Sequence, residues 1–178
     1  MPERGLKHVA VLTILRSGDE MLLLRRTKAD ALQGKYVPIG GHVDPYEAPR
    51  QAAIREVREE TGLAIEEIAF RGVLVETSPT EYNWVTFVYS ADVERFAPPE
   101  CAEGVLEWVA VARLGALPTP ETDAFIYAYV AREQPFVLNA EFDEEVRMVL
   151  LEEEHTGTVL ADARPATRRP PRSGRAVE

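Results

Sequence analysis

Apolar residues along this chain fall into two rhythms, and each predicts its own kind of element. "HVAVLTILR" (8–16) is a continuous apolar run rich in β-branched residues, which predicts a buried strand. "SGDE" follows as a turn, and "MLLLRR" (21–26) reads as the returning strand of a hairpin. Residues 27–46 carry Gly34, Pro38, Gly40, Gly41 and Pro45, so loop is expected there, with a short extended piece near 36–39. Further strands are expected at "EIAFRGVLVET" (67–77), "WVTFVYSADV" (84–93) and "GVLEWVAV" (104–111). "PFVLNAEFDEEVRMVLLEE" (135–153) reads as a last hairpin turning near 143–145. Two segments show the helical rhythm instead: 47–61, and the mostly apolar "ETDAFIYAYVARE" (121–133). Strands interleaved with two separate helices predict an α/β class. The expected architecture is a mixed central β-sheet covered on both faces, an α/β/α sandwich. One domain over 1–158 is expected, then an Arg/Pro-rich tail over 159–178 whose composition predicts disorder.

The helix over 47–61 carries the most unusual pattern. Pro49 falls in its first turn, where a missing N–H costs little, and Gly62 supplies the C-terminal stop. At roughly 100° per residue, Ala53, Ile54, Val57 and Thr61 share the face that should pack on the sheet. Glu56, Glu59 and Glu60 share another face, at i, i+3 and i+4. Three carboxylates within one turn repel each other. A hard divalent cation would neutralise them, and Mg²⁺ prefers oxygen ligands of this type. The alternative is a charged surface helix in which Arg55 and Arg58 offset the repulsion.

Charge adds a constraint. The net charge of the 178 residues is −10, and residues 161–178 hold five arginines against two acids, so the rest of the chain sums to −13. Such a body repels nucleic-acid polymers, yet it can take a small phosphorylated substrate once a cation inverts the local field. The single cysteine, Cys101, rules out an intramolecular disulfide framework. No apolar window of about 18 residues is present and no signal-peptide pattern opens the chain, so a cytoplasmic location without membrane contact is expected.

Upstream of the helix, "PIGGHVDPYE" places two glycines at a strand end. A Gly-Gly pair lets backbone approach a ligand and present carbonyl oxygen. Gly41, five residues, Glu47, seven residues, then "REVREETGL" (55–63) matches the signature of the Nudix hydrolase family at all nine defined positions of a 23-residue motif. The order of elements from about 7 to 152 also resembles the Nudix sandwich. The resemblance implies cleavage of a nucleoside diphosphate linked to another moiety, with Mg²⁺ or Mn²⁺. By motif position it assigns Glu56, Glu59 and Glu60 as metal-binding and catalytic carboxylates, with Glu56 or Glu60 as general base, and the Gly40 carbonyl as a ligand. Arg55 and Glu47 are supporting residues, with Arg55 orienting the glutamates. Gly41 and Gly62 also support the site, and Val57 and Leu63 pack. A further acidic ligand from outside the motif is expected at Glu107 first and Glu103 second. Tyr46 stands where the family often has Gly, and Ile39 where Gly or Pro is common.

The longer run of the chain is similar to the 8-oxo-dGTP diphosphatase branch. That similarity makes Asp123, with Glu121 as alternate, the candidate reader of the purine edge, and puts Tyr46 at the pocket rim. Asp123 or Thr122 could instead cap the helix over 121–133. Tyr82, Trp84, Phe87 and Tyr127 are candidates for a base pocket or for core. Other substrates that the family implies are ADP-ribose, a dinucleoside polyphosphate, a nucleotide sugar or an ordinary nucleoside triphosphate. A non-catalytic nucleotide sensor is disfavoured, since every motif glutamate is present. Isopentenyl-diphosphate isomerase is disfavoured because Cys101 is remote from the motif in sequence. His42, beside the glycine pair, is read as a turn residue or a neighbour of substrate phosphate. Many relatives are dimers, so a homodimer is an expected assembly.

Overall fold

A computed structural model describes residues 5–165. The paired strands β1 (His8–Ser17) and β2 (Glu20–Arg26) form the predicted hairpin. The short strands β3 (Tyr36–Val37) and β4 (Ile39–His42) follow, and then helix α1 (Pro49–Thr61). Next come β5 (Ala69–Thr77), β6 (Trp84–Asp92) and β7 (Gly104–Ala110), a 3-10 turn at Val111–Ala116, and helix α2 (Glu121–Ala131). The chain closes with β8 (Phe136–Phe142), β9 (Met148–Glu153) and β10 (Thr158–Asp162).

All ten strands belong to one mixed sheet, ordered β10-β9-β8-β5-β6-β1-β2-β3, with β4 also paired to β1 and β7 to β2. The β1–β6 and β5–β8 pairs are parallel and the others antiparallel. This is the expected α/β architecture with a mixed central sheet.

The continuous apolar runs are explained by burial on both sheet faces. In β2, Leu22 and Leu24 enter the core under α1, while Met21 and Leu23 enter the core under α2. In β1 the same division separates Val11 and Leu15 from Ile14. Helix α1 seals its side with Ala52, Ala53 and Val57, and α2 seals the other with Ile126 and Val130. Each of the larger side chains among them, such as Val57, Ile126 and Val130, contributes about 1.5–3 kcal/mol on burial. The helices are therefore fixed in orientation, and so is whatever their polar faces carry.

Two expectations change. The tail was expected from residue 159, but that boundary falls inside β10, which pairs with β9 from Thr158↔Glu153 to Asp162↔Leu150. The buried Glu153 anchors the intervening turn, accepting hydrogen bonds from the Thr156 amide at 2.9 Å and its hydroxyl at 2.8 Å. The expected disorder at 166–178 lies outside the described residues. Helix α1 also starts at Pro49 rather than at residue 47, because Ala48 is the cap: its amide is held by the Gln51 side chain at 3.1 Å. No described helix is long and apolar enough to cross a membrane.

Candidate active site

Strand β4 hydrogen-bonds beside β1, with Gly41 opposite Val11 and Gly40 opposite Leu12, and α1 packs over this corner. The fit leaves no room for side chains at the glycine pair. A Cβ on Gly40 would lie 2.1 Å from the Val11 carbonyl oxygen, and one on Gly41 would lie 2.3 Å from Glu56 Oε1. The glycines are therefore the means by which the strand backbone reaches the helix carboxylates.

Arg55 organises those carboxylates. Its Nε and Nη2 donate to the two oxygens of Glu47, each at 2.9 Å. Nη1 donates to Glu56 Oε1 at 2.7 Å and to Glu59 Oε2 at 3.2 Å, and Nη2 also reaches the His42 carbonyl at 3.0 Å. The bidentate fork on Glu47 is the strong geometry for this ion pair. It holds the Glu47 carboxyl below its ordinary range, while the hydrogen bonds that Arg55 donates to Glu47 and Glu56 raise the guanidinium further. Gly62 ends the helix in the left-handed conformation at φ 73°, returning its amide to Arg58.

Glu60 is set differently. Its Oε1 accepts from the Gly40 amide at 3.2 Å, while Oε2 is buried with no partner among the described residues. Burial pushes this carboxyl up to about 7, partly opposed by the Gly40 hydrogen bond, with the charge of Glu56 adding to the rise. These residues line a polar cavity of about 780 Å³, together with Glu103 and Cys101. Among the described residues no three His, Cys, Asp or Glu side chains are already gathered as a metal site. Arg55 Nη1 holds Glu56 and Glu59 together from one side. The donors nonetheless suit a hard divalent cation: hard carboxylate oxygens, one of them buried and unpartnered, around a backbone cradle that a Cβ would fill.

The expected further ligand is misplaced. Glu107 does not line this cavity and is engaged elsewhere, accepting from Arg25 Nε at 2.9 Å and the Tyr36 hydroxyl at 3.2 Å. Glu103, the second choice, lines the cavity, held by Arg26 Nη1 at 2.5 Å. Cys101 also lines it, so distance in sequence was a poor guide to its place.

A second, apolar cavity of about 330 Å³ adjoins the first. Arg26, Gly40, Gly41, His42, Glu60 and Glu103 line both. Tyr82, Trp84, Thr122, Asp123 and Glu76 line the second and not the first. Asp123 and Thr122 do not cap α2: the cap is Pro120, with no side-chain hydrogen bond. Asp123 is 6% exposed and turned to the cavity; burial, with the nearby charge of Glu76, pushes its carboxyl up to about 8. Of the four aromatic candidates, Tyr82 and Trp84 line the cavity, whereas Phe87 and Tyr127 pack into the two cores. Glu121 is exposed and lines neither cavity. Tyr46 is fully exposed and lines neither, so it is no rim residue; its φ of 69° explains why that spot suits glycine.

Sequence reasoning missed Glu76 and Arg26. Glu76 sits in a strand where a charged residue at a buried position is the detectable signal, since it is only 6% exposed. His42 is a strand residue rather than a turn residue, and its ring lies 5.1 Å from that of Trp84.

A family model described as NUDIX domain matches residues 6–134. The uncharacterized Nudix hydrolase YvcI of Bacillus subtilis (strain 168) is 29% identical over 126 residues, covering 68% of this chain and 77% of that protein. The m7GpppN-mRNA hydrolase NUDT17 of Xenopus laevis is 29% identical over 120 residues, covering 57% of this chain but only 40% of the relative. Among solved structures, the mutator MutT protein from Bacillus halodurans superposes with a TM-score of 0.73 at 19% identity, covering 83% of this chain and 98% of that one. At that identity the likeness speaks for the fold. The match over most of the chain and the intact glutamate helix agree: the chain belongs to the NUDIX family, as a hydrolase of phosphoric anhydride bonds.

Proposed function

We propose that the chain hydrolyses a pyrophosphate bond in a nucleoside di- or triphosphate derivative, and that an oxidised purine nucleotide such as 8-oxo-dGTP is its leading substrate. The observation that carries this reading is the junction of the two cavities. A polar, carboxylate-lined chamber opens into an apolar one with aromatic walls, and Arg26, Gly40 and Glu60 stand at the boundary. A nucleotide has that polarity along its length: phosphates at one end, a flat base at the other.

Glu56, Glu59 and Glu60 would hold Mg²⁺ or Mn²⁺ with the Gly40 carbonyl, and Glu103 is the added acidic residue in place of Glu107. When bound, the cation supplies charge neutralisation at the phosphates and a lowered pKa for water. The remaining work falls to the chain's own residues. Arg55 orients Glu56 through Nη1. Glu60 is the general base: its Oε2, unpartnered among the described residues, can take the proton of the attacking water. Glu56 is less suited, since Arg55 already occupies its Oε1. Arg26 supports the phosphate chain between the cavities, and Asp123 contacts the base.

The test is a substrate panel with Mg²⁺ and, separately, Mn²⁺. It compares 8-oxo-dGTP, the ordinary nucleoside triphosphates, ADP-ribose, a dinucleoside polyphosphate and a nucleotide sugar. Preferential conversion of 8-oxo-dGTP to its monophosphate and pyrophosphate supports the reading. Preference for ADP-ribose would overturn the choice of substrate, and no cleavage of any member would overturn the reaction.

A further inference from the structure

Two acids that take no part in the hydrolytic chemistry stand near one another in the lining of the apolar cavity. Glu76 comes from β5 and Asp123 from the first turn of α2, and each is 6% exposed. Buried acids in an apolar pocket are costly unless something they face repays the desolvation. Their surroundings differ. Glu76 Oε1 accepts from the Tyr82 hydroxyl at 3.0 Å and the Thr122 hydroxyl at 3.3 Å. The Lys7 ammonium stands close by, donating to the Glu76 carbonyl at 2.8 Å. The groups acting on the Asp123 carboxyl are Glu76, Lys35, Tyr82 and Tyr127, and none of them hydrogen-bonds it. Burial raises both carboxyls; at Glu76 the two hydroxyl donors and the Lys7 charge oppose that rise and favour the ionised form, while at Asp123 the charge of Glu76 adds to it against Lys35 alone and favours the neutral form.

A neutral carboxyl offers one donor and one acceptor, whereas a carboxylate offers acceptors only. Along the cavity lining the pair presents donor, acceptor, acceptor. We propose that Glu76 and Asp123 act together as the base-reading element, and that the edge they fit is acceptor–donor–donor, that of a 2-amino-6-oxopurine. The oxo group takes the Asp123 proton, the ring N–H gives to Asp123, and the 2-amino group gives to Glu76. A 6-aminopurine satisfies Asp123 alone and leaves the Glu76 charge facing no donor. A 6-oxopurine without the 2-amino group fails at Glu76 in the same way. Sites built to bond a polar group reject analogues that lack it strongly, since their own buried groups are then left unpaired. Tyr82 and Trp84 supply the aromatic wall. The inference rests on the nucleotide reading above and adds Glu76 as a specificity-determining residue.

The test measures binding without turnover, using α,β-imido analogues of GTP, ITP and ATP and the quenching of tryptophan fluorescence, since Trp84 lines the cavity. The GTP analogue is expected to bind about tenfold or more tighter than the ITP analogue, and the ATP analogue more weakly still. Glu76→Gln should erase the difference between the first two while retaining binding. Affinity should fall as pH rises through about 8, because Asp123 loses its donor proton there. Asp123→Asn keeps a donor and an acceptor at every pH, so that fall should vanish. Ionisation of the base itself would act on both proteins alike. Equal affinity for the GTP and ITP analogues, preference for the ATP analogue, or identical pH courses in the wild type and Asp123→Asn would overturn the inference. If none of the three binds, the nucleotide reading falls, and this inference with it.

Discussion

The two adjoining cavities are built in opposite ways. The carboxylate chamber is local: three of its acids lie within one turn of α1, and a single guanidinium, Arg55, ties Glu47, Glu56 and Glu59 into place. The apolar cavity is assembled from distant pieces. The two acids it does not share with the first, Glu76 and Asp123, come from a strand of the sheet and from a helix that packs against that sheet. The first chamber can be written as a spacing rule; the second exists only in three dimensions. Bond cleavage belongs to the first and the choice of nucleotide to the second, so substitutions in each should separate turnover from selectivity.

The largest effect is expected at Glu60. Glu60→Gln removes the proton acceptor but keeps an oxygen for the Gly40 amide. Turnover should fall by about 10²–10⁴, the usual weight of general-base catalysis, with the far-ultraviolet circular dichroism and the ranking of nucleotides by affinity unchanged. Near-normal turnover would remove Glu60 from the base role. A changed ranking would show that the chambers are not separable.

The glycine pair gives the next contrast. An alanine at Gly41 meets the end of the Glu56 side chain at 2.3 Å, and a carboxylate can swing aside. An alanine at Gly40 meets the Val11 backbone oxygen at 2.1 Å, and that cannot move without disturbing the β1–β4 ladder. Gly41→Ala should therefore cost activity, on the order of tenfold to a hundredfold, at nearly unchanged melting temperature. Gly40→Ala should cost stability, about 1–3 kcal/mol, read as a lowered melting temperature. The opposite pattern would mean that Glu56 is not where the strand meets the helix.

How legible each chamber was follows from the same difference. Helix α1, its Gly62 stop and the shared face of its glutamates rest on local geometry, and periodicity recovers them. The strands were visible because burial on both sheet faces leaves unbroken apolar runs such as "MLLLRR". Strand β10 was missed because its five residues border an arginine- and proline-rich stretch whose composition dominated the reading. Alternation along a strand tells which residues share a face, not which cavity that face meets. That is why Glu76 went unnoticed and why Glu107 was preferred to Glu103. Tyr46 misled for another reason: a non-glycine residue at a glycine-like position suggested a functional contact, whereas the structure shows only a left-handed backbone with its ring in solvent.

The smallest expected effects concern two acids at β7, and they decide the boundary of the carboxylate chamber. Glu103 precedes the strand and faces the cavity. Glu107 lies within the strand, opposite Leu23, and is committed to Arg25 and Tyr36. Glu103→Gln weakens the acidic set and leaves Arg26 with Asp30 as its one charged partner among the described residues. It should raise the Mg²⁺ concentration needed for half-maximal activity by about tenfold, the range typical of groups supporting a metal site. Glu107→Gln loses one half-exposed ion pair, screened by solvent, and should leave both the cation requirement and the turnover within about twofold. Measured side by side, a larger shift for Glu107→Gln would move the chamber's edge along the strand. It would also mean that Arg25, rather than Arg26, stands between the phosphates and the sheet.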